Sequence, residues 1–306
     1  MSPKGPLASD PGSPIPTMIH VPVLVKEVVE YLNIKPDSKI IDATLDGGGH
    51  TLTILEKYPE ARVLGIEFDP VLFKSLPFEN ERLIKINDSY INLKNIVEQY
   101  KFEPDGILFD LGLSSWHYEE SGRGFSFKKN EILDMRFNPE VEHESAADIV
   151  NKYSEDDLRE LISSLGEEQF AGNIAKNIIR ARREKPIIMT DELVNVISQS
   201  VQEWYKHGKI HFATKTFQAL RVVVNDELGN VRKGVLAAID VLKPGGRLVV
   251  ISFQGLEDKI VKEIFKEKTR EGIVEFVMKG TIRPSWEEQK ANPRSRSAKM
   301  KIIQKK

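Results

Sequence analysis

Three short features of this chain could carry chemistry: the run Asp46-Gly47-Gly48-Gly49-His50, the acid Glu67 and the acid Asp110. Consecutive glycines let a backbone approach a ligand closely, and a helix opening after them presents free N–H groups. A carboxylate twenty residues after Gly47 is placed to bind both hydroxyls of a ribose. Asp110 could orient a donor group or receive a proton.

These residues are useful only if the fold brings them together, and the surrounding pattern does so. Lys39–Ala43 reads as a short buried strand running into the glycine loop, followed by a helix through Thr51–Tyr58. Arg62–Glu67 is a second strand, Leu83–Asn87 a third and Asp105–Leu111 a fourth, so Glu67 and Asp110 both fall at strand carboxyl ends. In an open parallel sheet, ligands bind beyond those ends. A short helix starting near Val23 precedes the first strand and stops at Pro36-Asp37.

Residues 114–213 contain no convincing strand and read as a helical insertion. Ser154 with Asp157 has the spacing of a capping box, and Thr190 is expected to cap a helix. Lys215–Leu242 reads as helix interrupted at Gly229, and Arg247–Phe253 as a fifth strand after the turn Lys243-Pro244-Gly245-Gly246. Ile273–Lys279 and Ala298–Gln304 close the sheet. The expected division is therefore 18–113 with 214–306 as one α/β domain, split by the insertion.

Bulk properties exclude several functions. There is no cysteine, hence no disulfide framework, thiolate zinc site or thiol nucleophile, and no metal site is expected. Net charge is −2, so any nucleic-acid contact must rest on local patches. No apolar run is long enough to span a bilayer. Met1–Thr17 holds five prolines and no apolar stretch, which suits a disordered leader or an expression remnant, with Met18 as a native start. Cytoplasm is the expected location.

A dinucleotide-binding domain would share the acid-terminated second strand. However, G-x-G-x-x-G fails here because position 52 is leucine. The acid ending strand four and the Pro-Gly-Gly turn before strand five instead look like a class I, Rossmann-like methyltransferase using S-adenosylmethionine. Tyr90, after strand three, is then either a core aromatic or a neighbour of the adenine.

The chain further resembles the bacterial small-subunit (16S) rRNA cytosine-N4 methyltransferase family, RsmH or MraW, from His20 to about Lys305. The resemblance rests on His20–Leu24, Asp42–His50, Asp110–Ser115, Arg123–Phe127, Leu133–Arg136, Thr216–Arg221, Ile251–Phe253 with Leu256–Asp258, and Asn292–Ser297. It implies methyl transfer to a cytosine N4 in the decoding region, with rRNA or the assembled small subunit as partner. It also implies cofactor contacts at Gly48, Gly49, His50, Glu67, Tyr90, Asp110 and His117. The family commonly has Pro-Gln where Trp116-His117 stands, and favours His-Ser where Gln254-Gly255 stands. The amino-methyltransferase pattern D/N-P-P-Y is absent, so general-base action by Asp110 is an analogy beside a purely cofactor-binding role. The sequence leaves a homodimer open.

RNA contacts are expected from three places. Trp116, Tyr118, Phe125 and Phe127 follow strand four and could hold an extruded base or pack the insertion onto the sheet. Gln218, Arg221 and Asn225 share one helical face, either toward RNA or in a buried polar seam. The tail carries Arg294, Arg296, Lys299, Lys301, Lys305 and Lys306 with no acid after Glu288, the strongest local phosphate-binding field. Arg180, Arg182, Arg183 and Lys185 suit a solvated helix end.

Overall fold

A computed structural model describes Pro22 to Lys306; the expectations for residues 1–17 and Met18 lie outside the described residues. Seven strands form one sheet: β1 (Lys39–Asp42), β2 (Arg62–Glu67), β3 (Leu83–Asn87), β4 (Gly106–Asp110), β5 (Arg247–Ser252), β6 (Val274–Phe276) and β7 (Lys299–Lys305). Their order is β3-β2-β1-β4-β5-β7-β6. β1 to β5 run parallel, and β7 lies antiparallel between β5 and β6.

The apolar runs of the strands reflect burial on both faces. Ile41, Leu64, Ile107, Phe109 and Leu248 face one side, under the helices Leu93–Tyr100, Glu227–Val241 and Gly255–Arg270. Ile40, Val63, Leu108 and Val249 face the other, against Val28 and Ile54 of the helices Val25–Tyr31 and Gly49–Lys57. The chain order reverses between β1 and β4. Their carboxyl ends, with that of β2, therefore open the crevice in which such sheets bind ligands.

The insertion has its own core, built from the helices Ala146–Lys152, Glu155–Gly166, Ala171–Glu184 and Thr190–Ser200. Phe217, Leu220 and Val224 of the helix Thr214–Val224 belong to that core as well. The insertion's packing therefore extends past residue 213, to the chain reversal at Asp226, which has φ 45°. This reversal also corrects the expected break at Gly229, which lies inside the helix Glu227–Val241. Asp226 stops the first helix because its left-handed backbone cannot continue an α-helix.

Two further expectations change. Thr190 does not cap its helix: its hydroxyl donates to the Lys129 carbonyl at 2.6 Å and accepts from Glu131 N at 3.0 Å. Glu192 serves the helix start instead, accepting from Ile188 N and Met189 N. Ser154 accepts from Asp157 N at 3.1 Å as its spacing requires. The predicted strand Ile273–Lys279 shortens to the three residues of β6.

Candidate active site

Two cavities meet at the carboxyl edge of the sheet. The inner one, of about 100 Å³, is bordered by Thr44, Asp46, Glu67, Asp88, Tyr90, Asp110, His117 and Glu227, together with apolar residues. The outer one, of about 520 Å³, lies between the sheet and the insertion, with Tyr118, Phe125, Phe127, Gln218, Gln254 and Arg294 on its walls. Leu111, Gly112, Leu113, Arg221 and Glu257 border both.

β2 ends by burying Glu67, whose two oxygens accept from Asp46 N at 3.0 Å and Asp69 N at 2.8 Å. Each oxygen keeps a second lone pair for a ligand hydroxyl. Burial pushes its carboxyl up to about 8, against the pull of those two N–H groups. β4 ends at Asp110, whose backbone N–H donates to Thr44 Oγ1 at 2.7 Å. One Asp110 oxygen lies 3.3 Å from His50 Nε2; the other is buried and accepts no hydrogen bond.

His117 comes from the short helix Ser115–Glu119. Its Nε2 lies 3.1 Å from Asp69 Oδ2, which also receives the Arg123 guanidinium. Beside a carboxylate, that nitrogen carries the proton, which leaves Nδ1 as an acceptor; it is buried and unpartnered. Burial lowers the His117 value, keeping the ring neutral. Asp69 stays ionised despite burial because His117 and Arg123 hold it below the usual range. Tyr90 reaches the inner cavity with its ring edge-on to Phe109, at 5.3 Å.

The structure thus brings Glu67, Tyr90, Asp110 and His117 together around one cavity. Gly48, Gly49 and His50 border neither cavity. A Cβ at Gly48 (φ 77°) would stand 2.2 Å from the Phe78 ring, and one at Gly49 would stand 2.7 Å from Pro22. The side of Gly48 on which a side chain would stand is thus filled by the Phe78 ring.

The residues expected to contact RNA fall in different surroundings. The Trp116 ring is buried with Leu45, Leu72 and Leu76, where no base can stack on it. Asn225 is a brace rather than a contact: it accepts from Phe137 N at 2.8 Å and donates to the carbonyls of Met135 and Arg221. Arg221 is paired with Glu227 at 2.7 and 3.0 Å, although it still borders both cavities.

The basic tail is largely consumed by its own strand. Lys299 and buried Lys301 both meet Asp258, Lys305 donates to the Asp240 carbonyl, and Arg294 pairs with Glu119 at 2.5 Å over the Tyr118 ring. Arg296 alone of the predicted RNA-contacting residues is exposed without a partner among the described residues. In the insertion, Arg182 donates to the Val150 carbonyl and Lys185 pairs with Glu192.

Glu227 is a further residue of the site, and Glu257, visible in the sequence only as part of the run Leu256–Asp258, is another. Both carboxylates are buried beside Arg221. Glu257 accepts from Phe253 N and Gln254 N at the start of its helix, so its spacing after strand five was the available signal.

The buried acids predict a pH dependence of stability. Burial pushes Glu67 to about 8 and, with help from Glu227, Glu257 to about 7. Such groups keep their protons in the folded chain after the unfolded chain has released them, so stability falls as pH rises through these values. His117 acts oppositely, but only below its ordinary value of 6.5. The ligand-free protein is expected to lose on the order of 2 kcal/mol between pH 6.5 and 8. Urea titrations at the two pH values measure this, and Glu67→Gln should make the loss smaller.

Sheet order, the crevice at the β1–β4 switch and an acid ending each of β2 and β4 define a class I methyltransferase. The chain belongs to the MraW methylase family, whose profile matches residues 17–306. It is similar to a protein named ribosomal RNA small subunit methyltransferase H from Elusimicrobium minutum, with 43% identity covering 94% of this chain and 98% of that one. Proteins of the same name from Treponema denticola (40%, covering 94% and 97%) and Dictyoglomus thermophilum (42%, covering 93% and 96%) are similar too.

S-adenosylmethionine is the cofactor of this enzyme. The inner cavity fits it. The molecule is a sulfonium cation carrying an ammonium, an adenine amine and two ribose hydroxyls. The cavity offers six acidic side chains, Asp46, Glu67, Asp88, Asp110, Glu227 and Glu257, and two buried acceptors without partners, Asp110 Oδ1 and His117 Nδ1. With the outer cavity, the space falls in the range of ordinary small-molecule sites, roughly 300–1,000 Å³. Among the described residues, no group of side chains is arranged to hold a metal ion, and no helix is long and apolar enough to cross a membrane.

Proposed function

We propose that this chain transfers a methyl group from S-adenosylmethionine to the exocyclic N4 of a cytosine in the decoding region of small-subunit ribosomal RNA. The observation that carries the proposal is the pair of cavities joined at the end of β4. One is rich in acceptors for the cofactor, and the other is aromatic-walled and wide enough for an extruded base. The names of the similar proteins supply the RNA.

A cytosine amine is a poor nucleophile because its lone pair is delocalised into the ring, so catalysis depends on alignment. The cofactor supplies an electrophilic methyl group. Glu67 holds the ribose, Tyr90 packs beside the adenine, and His117 Nδ1 accepts from a cofactor amine. The free oxygen of Asp110 accepts a hydrogen bond that orients the amine or the cofactor. Tyr118 and Phe127 give the base surfaces to stack on.

Transfer of labelled methyl to small subunits lacking the modification, with naked rRNA alongside and mapping of the product, tests this function. Product at a cytosine N4 is expected; label elsewhere or none overturns it. A shifted RNA target is the second reading, favoured by Gln254, whose amide lies in the outer cavity bonded to Gln218 at 3.0 Å. The same mapping separates the two. For Glu67→Ala, loss of the two hydrogen bonds to the ribose should weaken cofactor affinity roughly ten- to a hundredfold. Calorimetry giving unchanged affinity removes Glu67 from the site.

A further inference from the structure

Methyl transfer between the two cavities must cross the wall they share, formed by Leu111, Gly112, Leu113, Arg221 and Glu257. Of these side chains only two are ionisable, and Arg221 is a permanent cation with no proton-accepting role. Glu257 is the one proton acceptor facing both sides. One of its oxygens accepts from Phe253 N and Gln254 N at 3.0 and 3.1 Å, and the other accepts no hydrogen bond among the described residues. Asp110, by contrast, borders the inner cavity alone and is already approached by His50.

We propose that Glu257 accepts the proton released by the target amine, which makes it a catalytic residue. The inference rests on the amine methylation proposed above. The amine nitrogen gives its lone pair to the methyl carbon, and the carbon–sulfur electron pair stays on sulfur as that bond breaks. The nitrogen then carries one proton too many. That proton passes to the free Glu257 oxygen, giving a neutral carboxylic acid and a neutral methylamino group, and later leaves to water through the outer cavity.

The charged and titratable neighbours of Glu257 suit this role. Glu227, from the helix Glu227–Val241, opposes its ionisation, Arg221, from the helix Thr214–Val224, favours it, and the Tyr90 hydroxyl faces it from beside β3. Burial and Glu227 together push the carboxyl up to about 7, where a base is both ionised and basic enough to work at neutral pH.

The test is single-turnover methyl transfer to unmodified small subunits at saturating cofactor, from pH 5.5 to 9, for wild type and Glu257→Gln. The glutamine oxygen can still accept from Phe253 N and Gln254 N, so folding should stay close to wild type, and saturating cofactor keeps any change in cofactor affinity out of the rate. Wild type should show a rate rising with pH to a plateau, with a midpoint near 7. The variant should be slower by about a hundredfold or more and lack that limb. An unchanged rate, or a slower rate with the same limb, overturns the proposal. If the glutamine variant does not fold, Glu257→Asp decides: a displaced midpoint supports the role and an unchanged midpoint overturns it. A wild-type protein that binds cofactor but methylates no RNA overturns the proposed function and this inference together; equal rates for the two proteins overturn the inference alone.

Discussion

Replacing Arg221 with methionine is expected to destabilise the protein by about 3–5 kcal/mol, the usual result of removing one partner from a buried ion pair. The Arg221 guanidinium meets both oxygens of Glu227, with both side chains almost out of contact with water, and reaches toward the Tyr118 hydroxyl at 3.4 Å. Burial alone would lower its basicity, but Glu227 raises it, so the arginine is firmly charged. Methionine would leave Glu227 buried without its cation and within the field of Glu257. Urea unfolding of Arg221→Met and of the double variant with Glu227→Met separates the pair from its parts. The double variant should recover much of the loss, because a matched apolar pair has no stranded charge. A single variant as stable as wild type would show that the pair is not closed in solution.

Asp110→Asn should leave the fold intact and slow single-turnover methyl transfer by about a hundredfold, the scale of an ångström-sized misplacement of reacting groups. The substitution is nearly isosteric, and Thr44 still receives the backbone N–H. What changes is the buried oxygen without a partner: an amide can present a donor where the carboxylate offered an acceptor. Rates at saturating cofactor isolate this effect from weaker binding. A variant turning over at the wild-type rate would leave Asp110 with no part in the reaction.

The sheet was legible because its residues report burial directly. β1 to β5 lie within a residue or two of the apolar runs that predicted them, and both acids fall at strand ends as expected. The helix break was misplaced because glycine is the obvious breaker, whereas the chain turns at Asp226, a residue that tolerates the left-handed region. Charge counting misled at the tail. It showed lysines without nearby acids in sequence, but their partners Asp258 and Glu119 come from elements distant in the chain. Trp116 misled similarly, since an aromatic in a polar loop reads as exposed until Leu45, Leu72 and Leu76 are seen around it. Glu227 could not be recognised from spacing, because its importance comes from Arg221 on a helix that ends before the turn at Asp226.

β4 and β5 are hydrogen-bonded neighbours, Asp110 opposite Ile251, although the whole insertion is threaded between them. Bringing such distant segments together costs loop-closure entropy, which grows only as the logarithm of the loop's length. The insertion carries a separate apolar core, so it can condense first and leave a much shorter effective tether for the strands to close. The wall shared by the two cavities is built from residues just after β4, just before Asp226 and just after β5. That wall is complete only when the insertion is folded and docked on the sheet, and a chain with its guest domain misfolded would have strands but no reaction chamber. Catalytic competence therefore depends on folding of the insertion as well as of the sheet.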